Sequence, residues 1–211
     1  MVGPRLVVVQ SKHDRLPAFY PRGMFIMRRL SLSVAILTCL SVSAILAAPC
    51  VSGLPAGQKP GPYSSVVSVG KERGQSHCYI CDTEDRPAVV IFARSLDDSL
   101  GQLTRGLDKA LVDYKATDLR AWVTFLNADQ TTYDPKVVAW SKKQAIRSVP
   151  LTVFEDADGP TSYKLSRDAE VTVLVFVKQK VVTNFAFRAG ELSDERIADV
   201  LKAVAAVAEK K

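Results

Sequence analysis

"SHCYICDTEDRPAVVIFARSLDDSLGQL", residues 76–103, holds three features in an order that matters. A Cys-x-x-Cys pair, Cys78 and Cys81, comes first. A short apolar run, Ala88–Ala93, follows. Then Leu96, Leu100, Leu103, Leu107 and Leu111 recur at helical spacing on one face. Ala88–Ala93 reads as a strand buried on both sides that runs into this helix. Ser95 is expected to cap the helix, with Asp97 and Asp98 in its first turn, where the helix dipole favours negative charge. The cysteines stand ahead of the strand. At the strand-to-helix corner stand Arg94, Ser95, Leu96, Asp97, Asp98 and Ser99.

Working outward, the alternation continues. Arg120–Leu126 is a second strand, and Asp134 and Pro135 open a second helix as cap and first helical residue. Leu151–Phe154 is a third apolar run. Val171–Val177 and Val181–Phe187 are joined at Lys178-Gln179-Lys180 as a hairpin. Ser193 caps a last helix with Ile197, Val200, Leu201, Val204 and Val207 on one face. Upstream, Ser65–Val69 reads as a short edge strand. The order β–α–β–α–β followed by β–β–α indicates an α/β fold, a mixed central sheet flanked by helices.

One further stretch narrows the class. "VPLTVFEDADGPTSYKLSRDAEVTVLVFVKQKVV", residues 149–182, has a strand, an Asp-x-Asp-Gly turn, a tyrosine segment and the next central strand. It resembles the peroxiredoxin and redoxin branch of the thioredoxin-like superfamily, and the resemblance covers about residues 85–209. It implies a thioredoxin-like sandwich. It also implies an attacking cysteine at the end of Ala88–Ala93, where amides at the helix start lower a thiol pKa. No cysteine stands there, and Asp97 and Asp98 would oppose a thiolate. The cis-proline of that superfamily falls at Val171, where the following Thr172 is kept but the proline is not. Pro150 precedes a different strand. A peroxidatic cysteine with Thr and Arg partners is likewise missing from the corner. The usual active site is therefore expected to have lost its chemistry.

The chain has 211 residues and a formal charge of +6. Six cations against Asp14 give residues 1–53 a charge of +5, which leaves the other 158 residues near +1. A nucleic-acid surface needs a basic cluster on the folded domain, and none is visible there. Met27-Arg28-Arg29 precedes the apolar stretch Leu30–Ala48, the pattern of a secretory signal or an uncleaved membrane anchor. Ala48 and Gly53 are candidate −1 residues, and Met24 or Met27 is the expected true start. Pro49 before Cys50 is wrong for a lipoprotein box. The expected organisation is an N-terminal extension and signal over 1–48, a flexible Pro/Gly-rich lead and Cys-x-x-Cys loop over 49–84, and the thioredoxin-like domain over 85–211. Export places the protein in the periplasm or outside the cell, in contact with the membrane only if the signal stays on.

Cys39 lies in the signal and Cys50 near its end, so Cys78 and Cys81 are the pair that belongs to the domain. In an oxidising compartment they tend to bridge. Four readings of the pair stand open. A relocated redox pair would have Cys78 as attacking thiol and Cys81 as resolving partner, acting on a protein disulfide. A structural disulfide would pin a loop within a binding module. Half a zinc site has His77 nearby but no second pair. Haem attachment wants a histidine after the pair, where Asp82 stands. No cofactor or metal is expected. His77 serves no nucleophile motif, Asp97 and Asp98 read as helix caps, and Trp122 and Trp140 as packing residues. The 155–159 turn lacks the later glutamate of a calcium loop.

Overall fold

The computed structural model describes residues 48–209. The basic and apolar leader, Met24, Met27 and Cys39 lie outside them. Seven strands form one sheet: β1 (Ser65–Val69), β2 (Ser76–His77), β3 (Ala88–Ala93), β4 (Arg120–Leu126), β5 (Leu151–Phe154), β6 (Val171–Val177) and β7 (Lys180–Phe187), with helices α1 (Asp98–Asp113), α2 (Gln130–Lys143) and α3 (Asp194–Ala208) between and after them. Their order across the sheet is β2-β1-β5-β4-β3-β6-β7. Strands β3, β4 and β5 are parallel, and β1, β6 and β7 enter antiparallel. The mixed sheet of an α/β fold is present. Among the described residues no helix is long and apolar enough to cross a membrane.

Alternation along β3 sorts the core into two layers. Val89, Ile91 and Ala93 face all three helices through Leu100, Leu103, Leu107, Val137, Trp140, Val200 and Val204. Ala88, Val90 and Phe92 face the other way, onto Trp122, Leu174 and Phe176, and no helix covers them. Irregular chain and one short 3-10 turn, Thr161–Tyr163, do so instead, through Leu54, Tyr63, Ile80 and Tyr163. Tyr63 plugs this face. Its ring packs on Phe92, Phe154 and Tyr163, and its hydroxyl sits 2.7 Å from Thr124 Oγ1 and accepts from Trp122 Nε1 at 2.9 Å. Burial raises the Tyr63 phenol above its ordinary pKa, so it stays a neutral link in the network.

Three local expectations need correction. Asp97, not Ser95, caps α1: its carboxylate accepts from Leu100 N at 2.6 Å, and Ser95 only supports it. Helix α2 begins five residues before Pro135, capped by Asp129. Pro135 lies near its start, where the one missing N–H leaves only the exposed Thr131 carbonyl unpaired.

The third correction concerns the lead. Residues 50–58 are not a free tether. They run across the aromatic face, over β6 and β7, and meet the backbone of β7 at Val181. Gly57 N donates to Val181 O, Val181 N returns to Gln58 O, and Asn184 Nδ2 donates to the carbonyls of Ser52 and Leu54. Ser52 is 2% exposed and Leu54 3%. The strap thus covers part of the sheet face that α1, α2 and α3 leave open. Its order comes from long-range partners, which a Pro/Gly-rich composition does not reveal.

Candidate functional site

At the carboxyl end of β3 the corner is built to hold shape. The Arg94 side chain donates to the backbone carbonyls of Ala157, Ser166 and Ala169, and its own amide donates to Glu170 O. Trp140 Nε1 donates to Asp97 O at 3.1 Å. Asp98 accepts from Lys143 Nζ and Gln144 Nε2, which hold its carboxyl below the ordinary carboxylate range. One amide at the start of α1, that of Leu100, already answers to the Asp97 carboxylate. Val171 pairs with Ala93 across β6 and β3, so it faces this corner as expected. Nothing here is poised as a nucleophile.

The cysteines lie at the other end of the sheet. Cys78 and Cys81 form a disulfide. The turn that carries them crosses the uncovered face toward the amino end of β3. Asp85 O accepts from Lys178 N in the β6–β7 turn, and Arg86 Nη1 meets Asp118 Oδ2 at 2.8 Å just before β4. With both sulfurs in the bridge, neither is offered as a thiolate to a metal in this state.

Hydrogen bonds hold the turn alongside the bridge. Cys81, Asp82 and Thr83 amides donate in succession to the carbonyls of Cys78, Tyr79 and Ile80. The buried Thr83 hydroxyl donates to Ile80 O at 2.8 Å, and Arg86 donates to the carbonyls of Asp82 and Thr83. His77 Nε2 lies 2.8 Å from Asp82 Oδ2, closing the turn from both sides of the cysteines. Ile80 anchors it in the aromatic layer.

The two cysteines differ in exposure. Cys81 is exposed, whereas Cys78 is half-buried and packs against the layer containing Trp122. Of the two residues, Cys81 is thus the more open to solvent. The other cysteine among the described residues, Cys50, is a free, half-buried thiol raised above its ordinary pKa by burial, despite nearby Arg188.

A cavity of about 710 Å³ borders the turn through His77, Tyr79 and Asp82. Trp122 forms part of its wall, and the Tyr79 ring stacks on it at 5.7 Å. Burial, then the bond to Glu72 at 3.0 Å, raises the Tyr79 phenol above its ordinary pKa. Lys71 and Arg147 stand on the rim. Sequence reasoning found the cysteines but missed this cavity, because Gly70, Leu111, Trp122 and Arg147 meet there from four separate segments. Trp122, read as a packing residue, is both buried at 1% exposure and a wall of the cavity.

The fold is thioredoxin-like. A peroxidoxin, BcpB, from Mycobacterium tuberculosis superposes with a TM-score of 0.53 at 12% identity, covering 73% of this chain and 98% of that one. A secreted thiol-disulfide isomerase from Corynebacterium glutamicum gives 0.51 at 14% identity, covering 70% and 86%. A yeast mitochondrial 1-Cys peroxiredoxin gives 0.53 at 11%, covering 72% and 76%. No protein-family model matches the chain, and no curated protein matches it in sequence.

Proposed function

We propose that this chain is an exported thiol–disulfide exchange protein whose redox pair, Cys78–Cys81, has moved from the β3–α1 corner to the opposite end of the sheet. The observation that carries the reading is the exposed Cys81 in a turn bordering a cavity with an aromatic wall. The non-covalent clamp on the turn supports it too. A pair that cycles needs one backbone shape for both redox states, and here His77, Asp82, Thr83 and Arg86 supply it without the bridge. Export rests on the Met27–Ala48 leader.

In the exchange, a partner thiolate attacks Cys81 Sγ. The bridge breaks and its electron pair leaves with Cys78. A second partner thiolate then attacks the partner's sulfur in the mixed disulfide and releases Cys81. Two electrons pass from the partner dithiol to the bridge, and the two partner protons end on the cysteines.

A second reading, a binding module with a structural bridge, is favoured by the packing of Cys78 into the aromatic layer. Equilibrium titration against glutathione separates the two. The exchange reading expects a potential of roughly −270 to −120 mV, and insulin reduction lost in Cys78→Ser and Cys81→Ser. A potential below about −300 mV favours the inert bridge.

A further inference from the structure

A second cavity of about 710 Å³ lies on the helix side, between β1 and the last turns of α2. Three cations line it, Arg73, Lys142 and Arg147, and no carboxylate does. Arg73 is paired with Asp134 at 3.2 Å, and Lys143 next door is taken by Asp98. Lys142 and Arg147 have no ion-pair partner among the described residues. Asp108 turns to the backbone amides of Arg147, Ser148 and Val149 and does not line the cavity. The carboxyl end of α2 brings partial negative charge here, which one lysine is enough to offset. The surplus is positive.

Ser68 makes this more than a basic rim. It lies where the β1–β5 register shifts between Val67 and Val69, the extra residue of a bulge, and bulges re-aim a side chain out of the alternation. Ser68 is 0% exposed and lines the cavity. Its Oγ is the one buried side-chain polar atom without a hydrogen-bond partner among the described residues. Other buried hydroxyls are paired: Ser141 donates to Val138 O at 2.9 Å and Thr104 to Leu100 O at 2.7 Å. An unpaired buried hydroxyl is a net cost to a fold, and alanine would avoid it.

We propose that this cavity binds a small organic anion. Its carboxylate lies between Lys142 and Arg147, and the bulge yields enough for it to accept from the Ser68 hydroxyl, which is closed to solvent in the unliganded chain. Its apolar body rests on Val69, Val138 and Ile146. The volume is that of a small-molecule site and exceeds what an inorganic ion fills.

The test is calorimetric titration of the purified protein at low salt with octanoate, with octanol, and with inorganic phosphate. Octanoate should bind one to one and more tightly than either comparison compound. Arg147→Gln and Lys142→Gln, both at exposed side chains, should each weaken it about tenfold. Ser68→Ala should weaken octanoate while leaving the unliganded melting temperature unchanged or raised, because it removes an unpaired group. The proposal is overturned if octanoate does not bind, if octanol or phosphate binds equally well, or if binding survives the charge variants. A lower melting temperature in Ser68→Ala would also overturn it, since the hydroxyl would then be paired within the fold.

Discussion

The hydroxyl of Ser52 lies 2.7 Å from that of Thr172, 120 residues further along the chain, and both are buried. Ser52 Oγ also accepts from Ser166 N at 3.0 Å. One small side chain from the strap thus joins β6, beside Val171, to the loop that Arg94 clamps. Ser52→Ala removes a partner from the buried Thr172 hydroxyl and from the half-buried Ser166 amide, and should cost roughly 1–3 kcal/mol. Urea denaturation measures this, and an unchanged midpoint would show that the strap is not integral. For the same reason a signal cut after Gly53 would remove part of the fold, whereas one after Ala48 would spare it. The mass of the exported chain decides between them.

Gly53 and Gly57 form an internal comparison. Both have left-handed backbone, at φ +88° and +86°. A Cβ on Gly53 would come within 2.8 Å of Thr172 Cγ2 and 3.0 Å of Leu174 Cδ2, while one on Gly57 meets nothing within 4 Å. Gly57→Ala should cost only the left-handed penalty of about 1–2 kcal/mol. Gly53→Ala should cost clearly more in the same urea series. Equal losses would mean that the strap is not seated as described.

The β6–β7 turn carries an avoidable strain. Lys178 and Gln179 stand at φ 51° and 54° between the paired Val177 and Lys180. A two-residue turn of this kind prefers glycine at its second position. Gln179→Gly should raise stability by roughly 0.5–1 kcal/mol, after allowing for the looser unfolded chain. A thermal melt no higher than that of the parent would contradict this.

Single-cysteine variants should display the asymmetry of the bridge. With Cys78→Ser, the exposed Cys81 should be alkylated quickly and should form a mixed disulfide by exchange with oxidised glutathione, releasing glutathione thiolate. With Cys81→Ser, the half-buried Cys78 should react several-fold more slowly. The reverse order would restore Cys78 as the attacking thiol.

Acid should weaken the fold through identifiable carboxyls. Arg86 holds Asp118 below the usual carboxylate range, Lys143 and Gln144 hold Asp98, Thr132 holds Asp129, and Arg167 holds Asp158. A depressed folded pKa contributes stability that is complete above the unfolded value. It is lost as pH falls through the folded one. Urea midpoints should therefore be flat near neutrality and fall below about pH 5. Asp118→Asn should lower the neutral plateau and flatten the acid slope, and a slope equal to the parent's would remove Asp118 from this account.

Much of this architecture is legible in the chain because the strands are short, apolar and punctuated. Ala88–Ala93, Arg120–Leu126, Leu151–Phe154 and Val171–Val177 read from composition alone as the strands β3 to β6. Where an isolated capping signal competes with a better one nearby, local reading fails: Asp134-Pro135 looks like a helix start, but Asp129 takes the role because Val137 and Trp140 must reach Phe125. The cysteines are visible as a motif, but their position at the far end of the sheet is not, since it depends on Asp85 meeting the β6–β7 turn. Ser68 gives no signal at all. Its oddity exists only once the β1–β5 register is known.

The strap has one more consequence, for the order in which the molecule assembles. Its carbonyl at Ser52 waits for Asn184, 132 residues later. This contact therefore forms only after Asn184 has been made. Contacts so distant in sequence slow a folding reaction. A polypeptide threaded through a membrane pore from its amino end would stay open on its aromatic side until its final hairpin had followed it through.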